Sequence, residues 1–100
     1  MECKVTQEGD RVRFEINGEI DEQGAETLKS RFRGLTATTL KEVVLDFRNV
    51  SHIGSAGIGK LLLFYKDLAV NDGALRIVNT SSTITELFQA LKLNTLFNVT

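Results

Sequence analysis

Cysteine, histidine, proline and tryptophan are among the scarce residues of this sequence. A single cysteine, Cys3, permits no intramolecular disulfide, which excludes a disulfide scaffold and a cysteine-based zinc site. A single histidine, His52, excludes a histidine-rich metal centre. Proline is absent, no stretch is of low complexity and no repeat period appears, so nothing marks an interdomain linker or an array. Charge of one sign is missing too. Twelve Lys and Arg against 13 Asp and Glu leave a formal charge of −1. That argues against a nucleic-acid binder held by bulk electrostatics, although not against a local basic patch. The longest apolar run, Leu61 to Tyr65, is bracketed by Lys60 and Lys66 and is far too short to span a bilayer. Met1 to Lys4 does not begin a signal peptide, having no basic flank followed by an apolar run. The expectation is a cytoplasmic chain with no direct membrane insertion.

What is present is an ordinary globular composition, 42% apolar and 25% charged in 100 residues, enough for one core and one domain over residues 1–100. Lys4 to Thr6 and Arg11 to Ile16 flank the turn residues Glu8-Gly9-Asp10. Val12, Phe14 and Ile16 alternate with Arg11, Arg13 and Glu15, the pattern of a half-buried hairpin strand, and Asn17-Gly18 breaks it. Asp21 to about Gly34 reads as a helix. Asp21 is its N-cap, Ala25, Leu28, Phe32 and Leu35 form its apolar stripe, and Gly34 is its stop. Glu42 to Phe47 is almost continuously apolar, which predicts a parallel strand covered on both faces. A second helix is predicted from about Ser55 to Val70, with Ile58, Leu61, Leu62, Tyr65, Leu68 and Ala69 on its core stripe. Asn71-Asp72-Gly73 ends it, and Ala74 to Val78 is the next strand. A third helix starts near Ser81, where Ser81, Ser82 and Thr83 compete as caps, and buries Ile84, Leu87, Phe88 and Leu91. Leu96 to Val99 is the last, short strand. The order β-β-α-β-α-β-α-β predicts an α/β domain with a mixed four- to five-stranded sheet, parallel crossovers and packed helices.

The informative segment is Val50-Ser51-His52-Ile53-Gly54-Ser55-Ala56-Gly57-Ile58-Gly59, between a buried strand and an amphipathic helix. Free N–H groups and the macrodipole favour an anion at such a helix start. Two readings of Ser55 stand side by side. In one it is an N-cap, and the glycines serve only a tight turn. In the other its hydroxyl sits where an added phosphate gains those contacts. A dinucleotide site fits less well, because the glycines run G-x-x-G-x-G and Val50 to Ile53 lengthen the loop as turn residues. A P-loop is excluded by spacing and by the missing Lys-Ser/Thr ending.

Val43-Val44-Leu45-Asp46-Phe47-Arg48-Asn49-Val50-Ser51-His52-Ile53-Gly54-Ser55-Ala56-Gly57-Ile58-Gly59 resembles the signature of STAS domains, the sulfate transporter and anti-sigma factor antagonist family. That pattern is an apolar strand, an Asp, a few turn residues and then Asp-Ser-Ser/Thr-Gly-Leu-Gly. Ile16 to Asp21, Lys66 to Val78 and the stretch from Thr85 to Phe97 match neighbouring family features, so the likeness runs over about residues 10 to 99. The resemblance implies a STAS-like domain acting as an anti-sigma factor antagonist in bacterial partner switching. Its partners would be an anti-sigma factor that is also a serine kinase, and a phosphatase that resets the switch. The first signature Ser aligns with Ser55, which is the implied phosphorylation site. Partner binding is expected at Asp21, Gly54, Ser55, Ala56, Gly57, Gly59, Leu63 and Lys66. Two positions depart from the family: Gly54 stands for the Asp, and Ala56 for the second hydroxyl residue. Ala at that second position also occurs in STAS subunits of lipid-transport ABC complexes, which bind an ATPase without phosphorylation; this is the alternative reading.

The helix after Ser55 supports a binding role from its own residues. Gly59, Leu63, Lys66 and Val70 recur on a second face, either a recognition surface or a contact with a neighbouring helix. No triad, metal set or carboxylate pair is visible, so no enzyme activity, cofactor, metal or catalytic residue is expected. His52 and Asp46 read as structural, Asp46 bonding the next turn. Cys3 is expected at a frayed end. Many relatives carry a further helix after the last strand, and bare apolar surface there would support a homodimer, so a monomer or a weak homodimer is expected.

Overall fold

A computed structural model describes residues 1–35 and 39–100. Its elements are β1 (Glu2–Glu8), β2 (Arg11–Ile20), α1 (Glu22–Arg33), β3 (Glu42–Ile53), α2 (Ser55–Ala69), β4 (Ala74–Val78) and α3 (Ser82–Ala90). The strands form one four-stranded sheet in the order β1-β2-β3-β4. β1 and β2 are the antiparallel hairpin, with Val5 opposite Phe14. β2, β3 and β4 run parallel, joined through α1 and α2. The fold is the expected mixed α/β sheet. The eighth element is smaller than predicted. Residues 94–97 are turn, and Val99 makes only an isolated bridge to Ile77.

The core lies on one side of the sheet. Val12, Phe14 and Ile16 from β2, Val43, Leu45 and Phe47 from β3, and Leu75 and Ile77 from β4 are all buried beneath the helices. α1 contributes Leu28 and Phe32, α2 contributes Leu61, Phe64 and Leu68, and α3 contributes Ile84 and Phe88. Phe32 and Phe64 stack at 4.3 Å and lock α1 to α2. Phe88 meets Phe97 edge-on at 5.7 Å and Phe47 at 6.2 Å, which seats α3 and the following segment.

β3 is covered on one face only, contrary to the prediction from its apolar run. Glu42, Val44 and Asp46 alternate with the buried residues and are half-buried on the opposite face. They share that face with Thr6, Arg13 and Arg76, which stand in one cross-strand row with Val44. β3 also continues to Ile53, so Val50 to Ile53 are strand rather than turn, paired with the end of β2. β2 in turn does not stop at Asn17-Gly18. It passes through two register shifts there, with Gly18 at φ 107°, and reaches Ile20. The bulges absorb the break in alternation that had suggested an end.

Helix boundaries follow their caps. Asp21 is the N-cap of α1, its Oδ1 accepting from the Gly24 N–H at 2.7 Å. Gly34 ends α1 as expected, but in right-handed geometry. Ser81 wins the contest at α3 by accepting from the Ile84 N–H at 3.2 Å. α2 closes through Asp72 at φ 60° and the Gly73 N–H, which donates to Leu68 O at 2.8 Å. The core stripe of α2 is rotated from the expected one: Phe64 is buried and Ala69 is exposed. Leu91, expected in the core of α3, is exposed instead. Cys3 lies within β1 rather than at a frayed end. It is half-buried, its carbonyl accepts from Arg31 Nη1 at 2.9 Å, and burial pushes its thiol pKa up.

Candidate partner-binding face

β3 delivers the chain to α2 at the same end of the sheet where β2 delivers it to α1. Ile20 and Ile53 pair across the two strands, and the Gly54 N–H donates to Ile20 O at 2.9 Å. The starts of the two helices are therefore neighbours. The exposed Asp21 belongs to this corner, with its carboxylate committed to capping α1.

Gly54, not Ser55, is the N-cap of α2. Its backbone is extended, and no side chain caps the helix. Ser55 is the first helical residue, exposed, with its hydroxyl free of the capping role that one reading assigned to it. The early N–H groups of a helix lack intrahelical acceptors, and here they also lack a side-chain acceptor. They present a partial positive charge to whatever lies at the Ser55 end of α2.

The glycines that follow have opposite roles. A Cβ on Gly57 would fall 2.6 Å from Ile20 Cγ2 and 2.9 Å from Ile53 Cγ1. Gly57 faces inward and lets the first turn of α2 press onto the ends of β2 and β3. Among the expected partner-binding residues it alone is buried. A Cβ on Gly59 would meet nothing within 4 Å. No packing demand within the described residues explains a glycine there, in a helix where it costs about 1 kcal/mol relative to Ala.

Ser55, Gly59, Leu63, Lys66 and Val70 all face outward, spaced by the three- and four-residue steps that form one stripe. Leu63 is 48% exposed and Val70, just beyond the helix, 81%. Leu62 is half-buried and Ala69 exposed at the border, and Gly54 and Ala56 are half-buried at the N-terminal end. Lys66 is the single charge within the stripe, and no ion pair to it is present among the described residues. Lys60, nearer α1, lies 3.7 Å from Glu26. The site thus combines a serine at an uncapped helix start with a bare backbone position and an apolar, weakly cationic face.

Asp46, on the open face of the sheet, serves structure. It accepts from Arg13 Nη2 at 2.8 Å, the Arg48 N–H at 3.0 Å and Asn79 Nδ2 at 3.0 Å. Burial pushes its carboxyl pKa up, but the hydrogen bonds from Asn79, Arg48 and Arg13, with the Arg13 charge, outweigh that and hold it below the ordinary value. The exposed His52 pairs with Glu19 across the strands. No group of three or more metal-ligating side chains occurs among the described residues. No helix among them is long and apolar enough to cross a membrane.

Comparison with known proteins fits this architecture. The family model of the STAS domain matches residues 3–100. Phosphorylated SpoIIAA, the Bacillus cell fate determinant, superposes with a TM-score of 0.77 at 19% identity, over 99% of this chain and 91% of its own. An anti-sigma factor antagonist from Mycobacterium paratuberculosis gives 0.83 at 21% identity, over 98% and 83%. A sulfate transporter family protein from Wolinella succinogenes gives 0.74 at 22% identity, over 87% and 73%. At these identities the three structural likenesses establish the fold.

Proposed function

The chain belongs to the STAS domain family, and from that premise we propose that it is a cytoplasmic, non-enzymatic antagonist that binds an anti-sigma factor with serine kinase activity through the outer face of α2 and is released when Ser55 is phosphorylated. The observation that carries this reading is the alignment of an exposed Ser55, at the first helical position, with the exposed Gly59, Leu63, Lys66 and Val70. An apolar face on a small domain is suited to a protein partner. A phosphate on Ser55 would bring about −1.5 to −2 charges to its edge, where desolvation and repulsion oppose a close contact. The same phosphate would find the uncapped N–H groups of α2, so the modified chain keeps its fold while losing its partner. A phosphatase acting on this exposed position resets the switch.

The Gly54 and Ala56 departures leave this geometry intact. Both flank Ser55, and neither side chain is needed to present its hydroxyl. Ala56 also supports a second reading, a STAS subunit of an ABC-type lipid transport complex that holds its ATPase by the same face without phosphorylation. The deciding experiment is the intact mass and peptide map of the protein recovered from its native cells, wild type beside Ser55→Ala. Phosphate on Ser55, absent from the variant, is the expected result. Its absence across growth and stress conditions would overturn the phosphoswitch and leave the second reading.

A further inference from the structure

The two edges of the sheet are closed to different degrees. At β4 the C-terminal segment covers the edge. The Ile77 N–H donates to Phe97 O at 3.1 Å, Ile77 O accepts from the Thr100 N–H at 3.0 Å, and Leu75 O accepts from Asn98 Nδ2 at 2.8 Å. β1 is the other edge, and its backbone can be followed residue by residue. Asp10 O, just before β2, accepts from the Lys41 and Glu42 N–H groups of the β3 side. Alternation along β2 then turns Val12 and Phe14 toward β3, and Arg11, Arg13 and Glu15 toward β1. Through the hairpin register those three bond Glu8, Thr6 and Lys4. Cys3, Val5 and Gln7 therefore direct their N–H and C=O groups off the edge of the sheet. Cys3 O is held by Arg31 Nη1 at 2.9 Å. Beyond Gln7 the chain turns, and Gly9 O accepts from Gln7 Nε2 at 3.1 Å. Between these two stops, Val5 and Gln7 keep both backbone groups without a partner among the described residues.

What is open on this edge fixes how an identical strand can fill it. Two residues that each offer a donor and an acceptor, two apart, match themselves about a two-fold axis at Thr6. Val5 then lies opposite Gln7 of the second copy, Gln7 opposite its Val5, and four hydrogen bonds satisfy every open group of the two residues. An axis at Val5 would need the Cys3 carbonyl that Arg31 holds, and an axis at Gln7 would need the Gly9 carbonyl. Charge gives a separate check on this register. The axis at Thr6 sets Lys4 opposite Glu8 twice, on the open face of the sheet. Both side chains are exposed, and neither has an ion pair among the described residues.

We propose that the protein forms a homodimer by pairing β1 antiparallel with β1 of a second copy, about a two-fold axis at Thr6. The two four-stranded sheets become one of eight strands. Arg31 then has a definite role: by holding Cys3 O it stops the paired strands from sliding toward their N-termini. α2 packs over β3 and β4, away from the β1 edge. The dimer therefore leaves Ser55, Gly59, Leu63 and Lys66 uncovered and presents that face twice. It uses no residue assigned above to the protein partner, and it does not rest on the functional reading.

The test needs only the purified chain. Sedimentation velocity over a rising concentration series is expected to show a monomer–dimer equilibrium. Lys4→Glu sets carboxylate against carboxylate at both ends of the contact and should weaken association by about tenfold. Glu8→Lys should do the same with two cations. Mixed in equal amounts, the two variants should associate again, because every Glu then faces a Lys. A cross-link reads the register with Lys4 and Glu8 in place. In a Cys3→Ser background, Thr6→Cys lies on the axis in a non-hydrogen-bonded pair, with Cα atoms about 4.5 Å apart, and should form a disulfide-linked dimer on mild oxidation. Arg76→Cys, exposed in the same cross-strand row but on β4, should not. A monomer at every concentration would overturn the proposal. So would a dimer indifferent to both charge reversals, or equal cross-linking at the two cysteines. None of these outcomes involves the kinase or the ATPase, so a negative result here leaves the partner-switching reading to its own phosphate test.

Discussion

Two surfaces of this domain face away from its core, and they are built differently. The open face of the sheet carries Arg11, Arg13, Glu42, Asp46 and Arg76 around Val44, and both of these carboxylates are ion-paired. Arg13 pairs with Asp46 at 2.8 Å, and Arg76 lies 4.0 Å from Glu42. The outer face of α2 has one cation, no ion pair among the described residues, and exposed leucine and valine. Both are surfaces of one small fold, so composition of the whole chain does not explain the contrast. On the sheet face Asp46 and Glu42 already hold Arg13 and Arg76 within the chain. The helix face has no such pairing, which is the physical reason for placing recognition there.

The largest expected effects come from substitutions on the two sides of α2. Phe64 is 3% exposed and stacked on Phe32, so Phe64→Ala should destabilise the domain by about 3–5 kcal/mol. Leu63, its neighbour in sequence, points out. Leu63→Asp should change stability by no more than about 0.5 kcal/mol while abolishing partner binding. Thermal unfolding and a pull-down of the proposed protein partner separate the two. Unfolding of Leu63→Asp would mean that the face is core after all.

A finer cut uses the two glycines. Gly57→Ala drives a methyl into Ile20 and Ile53 and is expected to cost about 1–3 kcal/mol. Gly59→Ala meets nothing and should stabilise α2 by up to about 1 kcal/mol, yet weaken any partner that approaches its backbone closely. Denaturant titration gives both signs. A Gly59→Ala variant that is stabler and binds as well as wild type would remove the argument for close approach.

On the sheet side the sharpest prediction concerns pH. The Asp46 carboxyl is depressed in the folded state, so its stabilisation is complete above the ordinary carboxylate pKa and disappears as pH falls through the lower folded value. Asp46→Asn should flatten that acidic part of the stability curve. At neutral pH it should cost about 1–2 kcal/mol through weakened bonds to Arg13, Arg48 and Asn79. Partner binding by the folded variant should be unchanged, since α2 is not involved. Urea midpoints at neutral and acidic pH, compared with wild type, check this.

How much of this was legible in the sequence depends on the range of the interactions. Alternation from Val12 to Ile16 and the capping residues Asp21 and Ser81 marked elements correctly because their causes are local. The inner side of α2 was misread because Leu61 to Tyr65 is apolar all round, and periodicity cannot rank faces within such a run. The Phe32 stack, supplied by another helix, decides it. Val50 to Ile53 looked like a turn because Ser51 and His52 are polar, yet pairing with a bulged β2 makes them strand. The role of Asp46 depends on Arg13 and Asn79, each 33 residues away. Ser55 and its apolar stripe were visible from spacing. That Gly54 takes the capping position, leaving the Ser55 hydroxyl outside it, emerges only from the backbone.

The smallest expected effect tests that last point. Gly54 has extended backbone angles, φ −94° and ψ 177°, which any residue adopts, and a Cβ there would meet only Ile20 O at 3.9 Å. An aspartate therefore fits. Its carboxylate can accept from the N–H of Ala56 or Gly57, the bond that α2 lacks. Against glycine this is worth only a few tenths of a kcal/mol, a rise in Tm of about 1–3 °C for a domain of this size. The same substitution restores the acidic residue that precedes the signature serine in the family pattern. If a kinase reads that carboxylate, Gly54→Asp should raise phosphate occupancy at Ser55, measured by intact mass, along with the small gain in Tm. A gain in Tm with unchanged occupancy would mean that the bare helix start is sufficient for the kinase and that Gly54 loosens only the cap. Lower occupancy would mean that the added carboxylate competes with the phosphate for the same N–H groups, and that a glycine at this position favours the modified state.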